Sequence, residues 1–492
     1  MKNFRPAKFL IVHLVLTAFA FSLAFISGEA AAIEKIHQKS IQKIKEKWTG
    51  DLDGIIKRRI IRALVAYNKT NYFLDGPTAR GITYENLKHF EKQLNNKLKK
   101  RHFKIQVLFV PVVRDKLIPY LVEGRGDIAA ANLTITTQRL KQIDFGDPFS
   151  SQVKELVVTS PSAPPLNSLD DLSGKKVYVN KSSSFYESLQ KLNQKFAQAG
   201  KPPITIEPAD EYLETEDILE LVNADSVGIT VADSHLALFW KQIFKKIKVH
   251  EGLALRQGGK IAWAIRKNSP QLKKEINLFV KKNKQGTLMG NILIKRYFRN
   301  TKWARNVMSD QDIKRFRSTI KFFQKYSGQY GFDWLMVAAL AYQESRLDQS
   351  KRSPKGAVGV MQLLPSTAAG PPISIRNIEK LEKNIHAGVK YLRFIYDQYF
   401  KNGPMNELNK VLLTFASYNA GPARVEGLRR RTKKMGLDPD IWFRNVEVAA
   451  ARVIGRETVQ YVSNIFKYYL TYKQVSANMA QKNRVKAKVK DK

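Results

Sequence analysis

Cysteine is absent from the 492 residues. That excludes a disulfide framework, a thiolate metal site, a thiol nucleophile and a lipid anchor on an N-terminal cysteine. Histidine is scarce: seven are scattered without His-Glu-x-x-His spacing, and no glycine-rich phosphate loop is present. Neither a metal nor a cofactor is expected. Acid is short relative to base, 43 Asp and Glu against 84 Lys and Arg, for a net charge of +41. A field of that sign favours anionic partners. Long apolar runs are missing after the first, residues 9–26, so no later segment reads as a membrane span.

That first run has a recognisable setting. Lys2, Arg5 and Lys8 precede it, and Ala30-Ala31-Ala32 follows. Basic, apolar and small-residue parts in that order make a secretory signal, expected to be removed over residues 1–32. The alternative is an uncleaved anchor, since the run is almost long enough to span a bilayer. Export makes nucleic acid a poor partner for the positive charge. Cell-wall polymers and anionic lipid head groups suit it better. Membrane association is then peripheral, through the basic surface.

Length sets two or three domains as the expectation, and 43% hydrophobic residues suffice for a core in each. A polar, Lys-rich helical segment is expected over residues 33–54. Residues 55–300 alternate strand-like and helical patterns. Strands are expected near 60–65, 105–109, 128–131, 155–158, 177–179, 227–231 and 261–265, with a helix over 87–98. This is an α/β region, and Pro161, Pro164 and Pro165 mark the opening of a second lobe. From residue 301 to 475 apolar residues recur at helical spacing, in 313–323, 334–341, 387–399, 411–418 and 459–472, as in a compact all-α domain. The Lys-rich end, 476–492, is expected to be disordered.

One acid in the helical half has an unusual place. Asp333 can cap a helix opening at Trp334, and the run to Ala341 is apolar on nearly every face, as in a buried helix. Glu344 follows at the C-terminal end. Desolvation and the negative end of the helix dipole both favour its protonated form, which a general acid needs. The bland alternative is a helix-end glutamate facing water. Gln362 offers an amide for sugar hydroxyls. Gly421 either brings Tyr418 and Asn419 to a cleft or simply caps a helix. Glu457 and Tyr461 share one helical face, for substrate or for an internal hydrogen bond.

The blocks Tyr342-Gln343-Glu344-Ser345, Gly359-Val360-Met361-Gln362, Ser417-Tyr418-Asn419-Ala420-Gly421 and Glu457-Thr458-Val459-Gln460-Tyr461-Val462 occur in that order. Together they resemble the goose-lysozyme-like catalytic domain of lytic transglycosylases, over about residues 331–469. The resemblance implies that Glu344 is the sole catalytic acid/base and that peptidoglycan is the substrate. Ser345, Met361, Gln362, Tyr418, Asn419, Glu457 and Tyr461 are then supporting or substrate-lining positions. It also implies an internal nucleophile, the C6 hydroxyl of the muramyl residue, in place of the second carboxylate of ordinary glycosidases. Asp348 is the nearest other acid. Facing Glu344 across a cleft, it would make a hydrolytic, lysozyme-like reaction the rival. A non-catalytic glycan-binding half is the other alternative.

The first half carries Leu117-Ile118-Pro119-Tyr120-Leu121-Val122-Glu123-Gly124-Arg125-Gly126-Asp127-Ile128, Leu133-Thr134-Ile135-Thr136-Thr137-Gln138-Arg139 and Ile143-Asp144-Phe145-Gly146-Asp147-Pro148-Phe149. It resembles the family 3 periplasmic solute-binding domain, a two-lobed α/β fold. The resemblance implies that Arg139 grips a ligand carboxylate and Asp233 an α-amino group, with Thr134, Ser182 and Ser183 adding hydroxyls. An amino acid or muropeptide is the ligand class. A solute receptor for transport accounts for this half alone. The tandem resembles a group of membrane-bound lytic transglycosylases of Gram-negative bacteria with the same domain order, which implies a periplasmic place beside the outer membrane.

Overall fold

The computed structural model describes residues 46–75, 78–99, 104–301, 303–304 and 310–490. The expected signal segment and residues 33–45 lie outside these, as do Gly76 and Pro77. The described chain forms two compact units. One is Phe322–Ser463; the other joins Glu46–Lys321 to the C-terminal residues from Asn464.

The larger unit opens with α1 (Leu52–Arg58); of the expected helical segment 33–54, the described residues 46–51 are not helical and 52–54 begin α1. Then come β1 (Ile60–Val65), β2 (Phe73–Asp75), β3 (Thr78–Arg80), α2 (Ile82–Lys97), β4 (Gln106–Pro111), α3 (Leu117–Val122), β5 (Ile128–Thr134), α4 (Thr137–Leu140) and β6 (Asp144–Phe145). The second half holds β7 (Ser150–Thr159), β8 (Lys176–Asn180), α5 (Ser184–Gln198), β9 (Thr205–Ala209), α6 (Thr215–Asn223), β10 (Ile229–Asp233), α7 (Ser234–Lys241), β11 (Lys248–Ile265), α8 (Pro270–Asn283) and α9 (Leu288–Ile294). The main sheet runs β10-β7-β11-β5-β1-β4, with β6 beside β11. β1 lies parallel to β4 and β5, while β11 is antiparallel to β5 and β7. All seven expected strands are present. The β2–β3 hairpin, β6, β9 and the first half of β11 are additions.

β1 reads as a continuous apolar run because helices cover both of its faces. Its one charge, Arg62, is buried and pays no lone-ion penalty. Its backbone N–H donates to Asp127 Oδ2 at 2.7 Å, and its guanidinium lies 3.1 Å from Oδ1. Arg58 also pairs with this carboxylate, and Arg266 stands 3.6 Å away. Burial works against the charge on Asp127, but Arg58 and Arg62 outweigh it and hold the pKa below the ordinary carboxylate value. The Gly-Arg-Gly-Asp-Ile motif is thus a buried ionic staple.

β11 is where the two halves meet. It pairs with β7 from Lys248 to Ile261 and with β5 from Ile261 onward. One strand therefore belongs to both halves and changes partner at a single residue.

The smaller unit is helical. It receives the end of α10 (Asp310–Tyr330), then α11 (Trp334–Ser345), α12 (Pro365–Ala369), α13 (Leu381–Ile395), α14 (Glu407–Ala420), α15 (Pro422–Lys434), α16 (Glu447–Val453) and the start of α17 (Glu457–Lys490). α11 is buried from Met336 through Tyr342, and the Asp333 carboxylate caps it by accepting from Leu335 N at 2.8 Å.

The C-terminal end departs from expectation. Residues 476–490 are not disordered: they continue α17. Val475 and Val485 are buried in two separate apolar clusters of the larger unit, and Val489 packs against the second. The lysines that suggested a solvated tail have acidic partners. Lys482 and Lys486 each stand 2.7 Å from the buried Asp217 carboxylate.

Candidate active site

α11 carries Glu344 one residue before its end, at the C-terminal pole of the helix dipole. The carboxyl is largely withdrawn from water, and burial raises its pKa to about 7. Two neighbours oppose that rise: the Tyr461 hydroxyl donates to Glu344 Oε1, and the Lys351 ammonium lies nearby. Lys351 also donates to the Glu344 carbonyl. Near neutral pH such a group exchanges its proton readily, as a residue that must donate and then accept requires.

Tyr461 lies one turn into α17 and is buried. Tyr418, near the end of α14, donates to the Met361 carbonyl at 2.8 Å. Burial, and after it the Glu344 charge, raises the pKa of both phenols well above the usual value. Both remain protonated donors around the acid. Asn419 accepts from the Thr458 hydroxyl at 2.7 Å, which ties the end of α14 to the start of α17.

Ser345 and Met361 belong to the frame. The Ser345 hydroxyl is buried and donates to Val360 O at 2.8 Å, stitching α11 to the loop that follows. Met361 is fully buried against Gly388, where an added Cβ would sit 2.6 Å from its Cγ. Gln362 donates to Gly359 O at 2.8 Å and to Lys351 O at 3.2 Å. Glu457 is exposed in the first turn of α17. Asp348 is turned into its own loop: its carboxylate accepts from Ser350 N at 2.9 Å and Ser350 Oγ at 2.6 Å, and this lowers its pKa. Its hydrogen-bond partners, unlike those of Glu344, are groups of its own loop.

Three further residues hold the site without having stood out in the sequence. Asn384 is fully buried, accepts from Met361 N at 2.7 Å and donates to Val358 O at 2.9 Å. Gln349 accepts from Val360 N at 3.1 Å and donates to Ile378 O at 3.0 Å. Lys351 is the third. Gly359 (φ +76°) fits between the first two, since a Cβ there would lie 2.6 Å from both side-chain amides. Amide side chains that bond backbone from afar leave little local signal; only Gly359 hinted at the crowding.

The Tyr461 hydroxyl stabilises the ionised form of Glu344, so its loss raises the pKa further. In Tyr461→Phe the alkaline limb of kcat/KM is expected at higher pH than the wild-type limb near pH 7, with a lower plateau from lost orientation. A pH–rate profile measures both, and an unmoved limb contradicts the assignment.

In the larger unit Arg139 is buried. Its guanidinium donates to Thr134 O at 2.8 Å and Ser182 O at 3.0 Å, and burial lowers its pKa to about 10. Thr134 Oγ1 accepts from Ser184 at 3.3 Å. The Ser182 hydroxyl donates to Glu211 at 2.5 Å, and Ser183 caps α5 through Tyr186 N at 3.3 Å. Asp233 is buried with one oxygen accepting from Asn132 at 2.7 Å, and burial raises its pKa to about 6. Asn132, not singled out beforehand, sits two residues before Thr134 on the same face of β5.

Residues 321–440 match the family "Transglycosylase SLT domain", and residues 64–300 match "Bacterial extracellular solute-binding proteins, family 3". A crystal structure of the substrate binding protein of an amino acid ABC transporter aligns at TM-score 0.41, with 19% identity over 49% of this chain and 100% of its own. The chain is a solute-binding domain fused to a mostly helical transglycosylase domain, an enzyme of the lytic transglycosylase class. Over most of its length it is 28% identical to the membrane-bound lytic murein transglycosylase F of Desulfosudis oleivorans, across 85% of this chain and 90% of that protein. The namesake protein of Aliivibrio fischeri is also 28% identical, across 87% and 86%. It is a protein like the lytic murein transglycosylases F.

Proposed function

We propose that the protein cleaves the β-1,4 bond between N-acetylmuramic acid and N-acetylglucosamine in peptidoglycan and leaves 1,6-anhydromuramyl ends. Glu344 gives its proton to the glycosidic oxygen as the C1–O bond breaks. The resulting carboxylate then takes the proton of the C6 hydroxyl of the same muramyl residue, and that oxygen bonds to C1. Water is not consumed. An aligned intramolecular nucleophile gains up to about 7–11 kcal/mol over a bimolecular one. The observation that carries this reading is the pairing of Glu344 with Tyr461 and not with a second acid. Inverting glycosidases hold a second carboxylate to activate water, and retaining ones hold it as nucleophile; Asp348 is engaged elsewhere.

Digestion of purified sacculi followed by mass analysis of the ends tests the proposal. Anhydro ends, one water lighter than reducing ends, are the expected product. Reducing ends alone reject it in favour of hydrolysis.

The solute-binding domain takes a small ligand with a carboxylate and an amino group, such as an amino acid or a muropeptide, and biases the attached enzyme. Arg139 and Asp233 support the ligand class. Glycan cutting that is unmoved by such ligands at every concentration rejects the second part. The relatives named "membrane-bound" and the net positive charge support a periplasmic protein held peripherally at the outer membrane. No helix among the described residues is long and apolar enough to cross a membrane.

A further inference from the structure

The turn that joins α8 to α9 exposes apolar and basic side chains together. Leu288, at the start of α9, is 81% exposed, and no other large apolar side chain among the described residues exceeds 48%. Ile292 stands four residues on, on the same helical face, and is exposed too. Leu278 is exposed on α8. Around them lies base. Residues 273–299 hold eight Lys and Arg and one acid, Glu275, which is buried and paired with Lys97. Lys273 and Arg296 have carboxylates of their own, Asp144 and Glu85. Lys274, Lys281, Lys282, Lys284 and Lys295 are exposed and form no ion pair among the described residues. Lys274, Leu278, Lys281 and Lys284 share the walls of one surface groove of about 1010 Å³ along α8.

The turn is built to hold this display. Gln285 N donates to Phe149 O at 2.8 Å, and Gly286 N to Asn291 Oδ1 at 3.0 Å. The Thr287 hydroxyl donates to Lys284 O at 2.7 Å and accepts from Gly290 N at 3.2 Å, which caps α9. Gly290 lets α9 lie against the end of α8, since a Cβ there would stand 2.0 Å from Lys284 O. A leucine fixed in water forgoes the stabilisation that burial gives. Beside unpaired lysines it suits a surface that is apolar and anionic at once. A glycan strand satisfies the lysines and leaves Leu288 in water. A bilayer with anionic head groups takes both, phosphate beside the ammoniums and acyl chain around the leucine.

We infer that the α8–α9 turn is the membrane-docking face of the protein, with Leu288 and Ile292 entering the head-group boundary of an anionic bilayer and Lys281, Lys282 and Lys284 against its phosphates. The inference rests on the reading that the protein is held peripherally at a membrane, and it names the residues that hold it.

The sample is the chain expected after export, from residue 33, because the apolar run of residues 9–26 would itself enter a bilayer. With no cysteine in the protein, Leu288→Cys gives a single attachment point for an environment-sensitive NBD label. Vesicles of equal parts phosphatidylglycerol and phosphatidylethanolamine are expected to brighten the label and shift its emission to the blue. Phosphatidylcholine vesicles, without net charge, are not. In co-sedimentation of unlabelled protein with the anionic vesicles, Leu288→Ser is expected to weaken binding about tenfold, and Lys282→Glu with Lys284→Glu about tenfold or more. All three side chains are exposed, and melting close to wild type shows the variants folded. No binding of the wild type to anionic vesicles overturns the proposal together with the peripheral-membrane reading; capture by sacculi in that case assigns the basic face to glycan. Wild-type binding that either variant leaves undiminished, or a label that stays in water on the bound protein, overturns this docking face alone.

Discussion

Glu344→Gln is expected to lose at least about three orders of magnitude in turnover on sacculi, at the upper end of what general acid/base catalysis contributes. The amide keeps the shape and the hydrogen bond from Tyr461 but cannot hand over a proton or take one back. Both halves of the reaction fail together, because one carboxyl serves both. Folding is expected to survive, and the pH dependence of stability gives a second readout. Burial raises the folded pKa of Glu344 to about 7, above its unfolded value. The protonated carboxyl therefore favours the folded state at low pH, and that contribution is lost as pH rises through about 7. Above it the native protein carries a buried charge at a cost of about 1–3 kcal/mol, discounted for the part of the side chain that water reaches. Glu344→Gln removes the cost. It is expected to unfold at a higher temperature than wild type at pH 8 and at nearly the same temperature at pH 5. An active Glu344→Gln protein moves the chemistry to another residue; an inactive, unfolded one is separated from this case by the same melting curve.

Much of that site is legible in the sequence, and the physical reason is locality. Asp333 and the apolar run behind it define α11, and a helix buried on every face carries the acid near its end into a dry place. Tyr461 falls on the correct turn of its helix because the 3.6-residue period fixes it. Ser345 and Met361 look like substrate contacts because they adjoin the acid and the Gln362 loop, yet their partners, Val360 O and Gly388, come from elsewhere in the fold. Asn384 and Gln349 were invisible for the same reason: they satisfy backbone groups up to 26 and 30 residues away, and no local pattern demands it. Among the strands, the apolar runs of β1, β5 and β10 announced themselves. The β2–β3 hairpin and β9 did not, because β2 and β3 are only three residues long and β9 is mostly unburied.

Ending the chain at Val475 is expected to destabilise the larger unit by about 3–5 kcal/mol, through one stranded charge before any apolar loss is added. The Asp217 side chain is 2% exposed, and Lys482 and Lys486 face its two carboxylate oxygens at 2.7 Å. Burial opposes its ionisation, but the two lysines, with Lys69 behind them, drive the pKa far below the ordinary value. Without those two lysines the buried carboxylate keeps only the weaker attraction of Lys69. For a unit of this size that loss lowers the melting temperature by about 5–8 °C. Lys482→Met with Lys486→Met in the full chain is expected to reproduce most of the effect, and Asp217→Asn in the shortened chain to restore part of it. The sign with pH is fixed. A depressed carboxylate pKa gives stability that is present above the unfolded pKa and lost as pH falls through the folded one, so the gap between full and shortened chains narrows below about pH 4. Val485 and Val489 sit four residues apart on one helical face, with lysines at 482 and 486 beside them. That pattern is an amphipathic helix whose basic edge has found acid, and composition alone makes it look like a solvated tail. Equal melting of the two chains at neutral pH would return residues 476–490 to that simpler description.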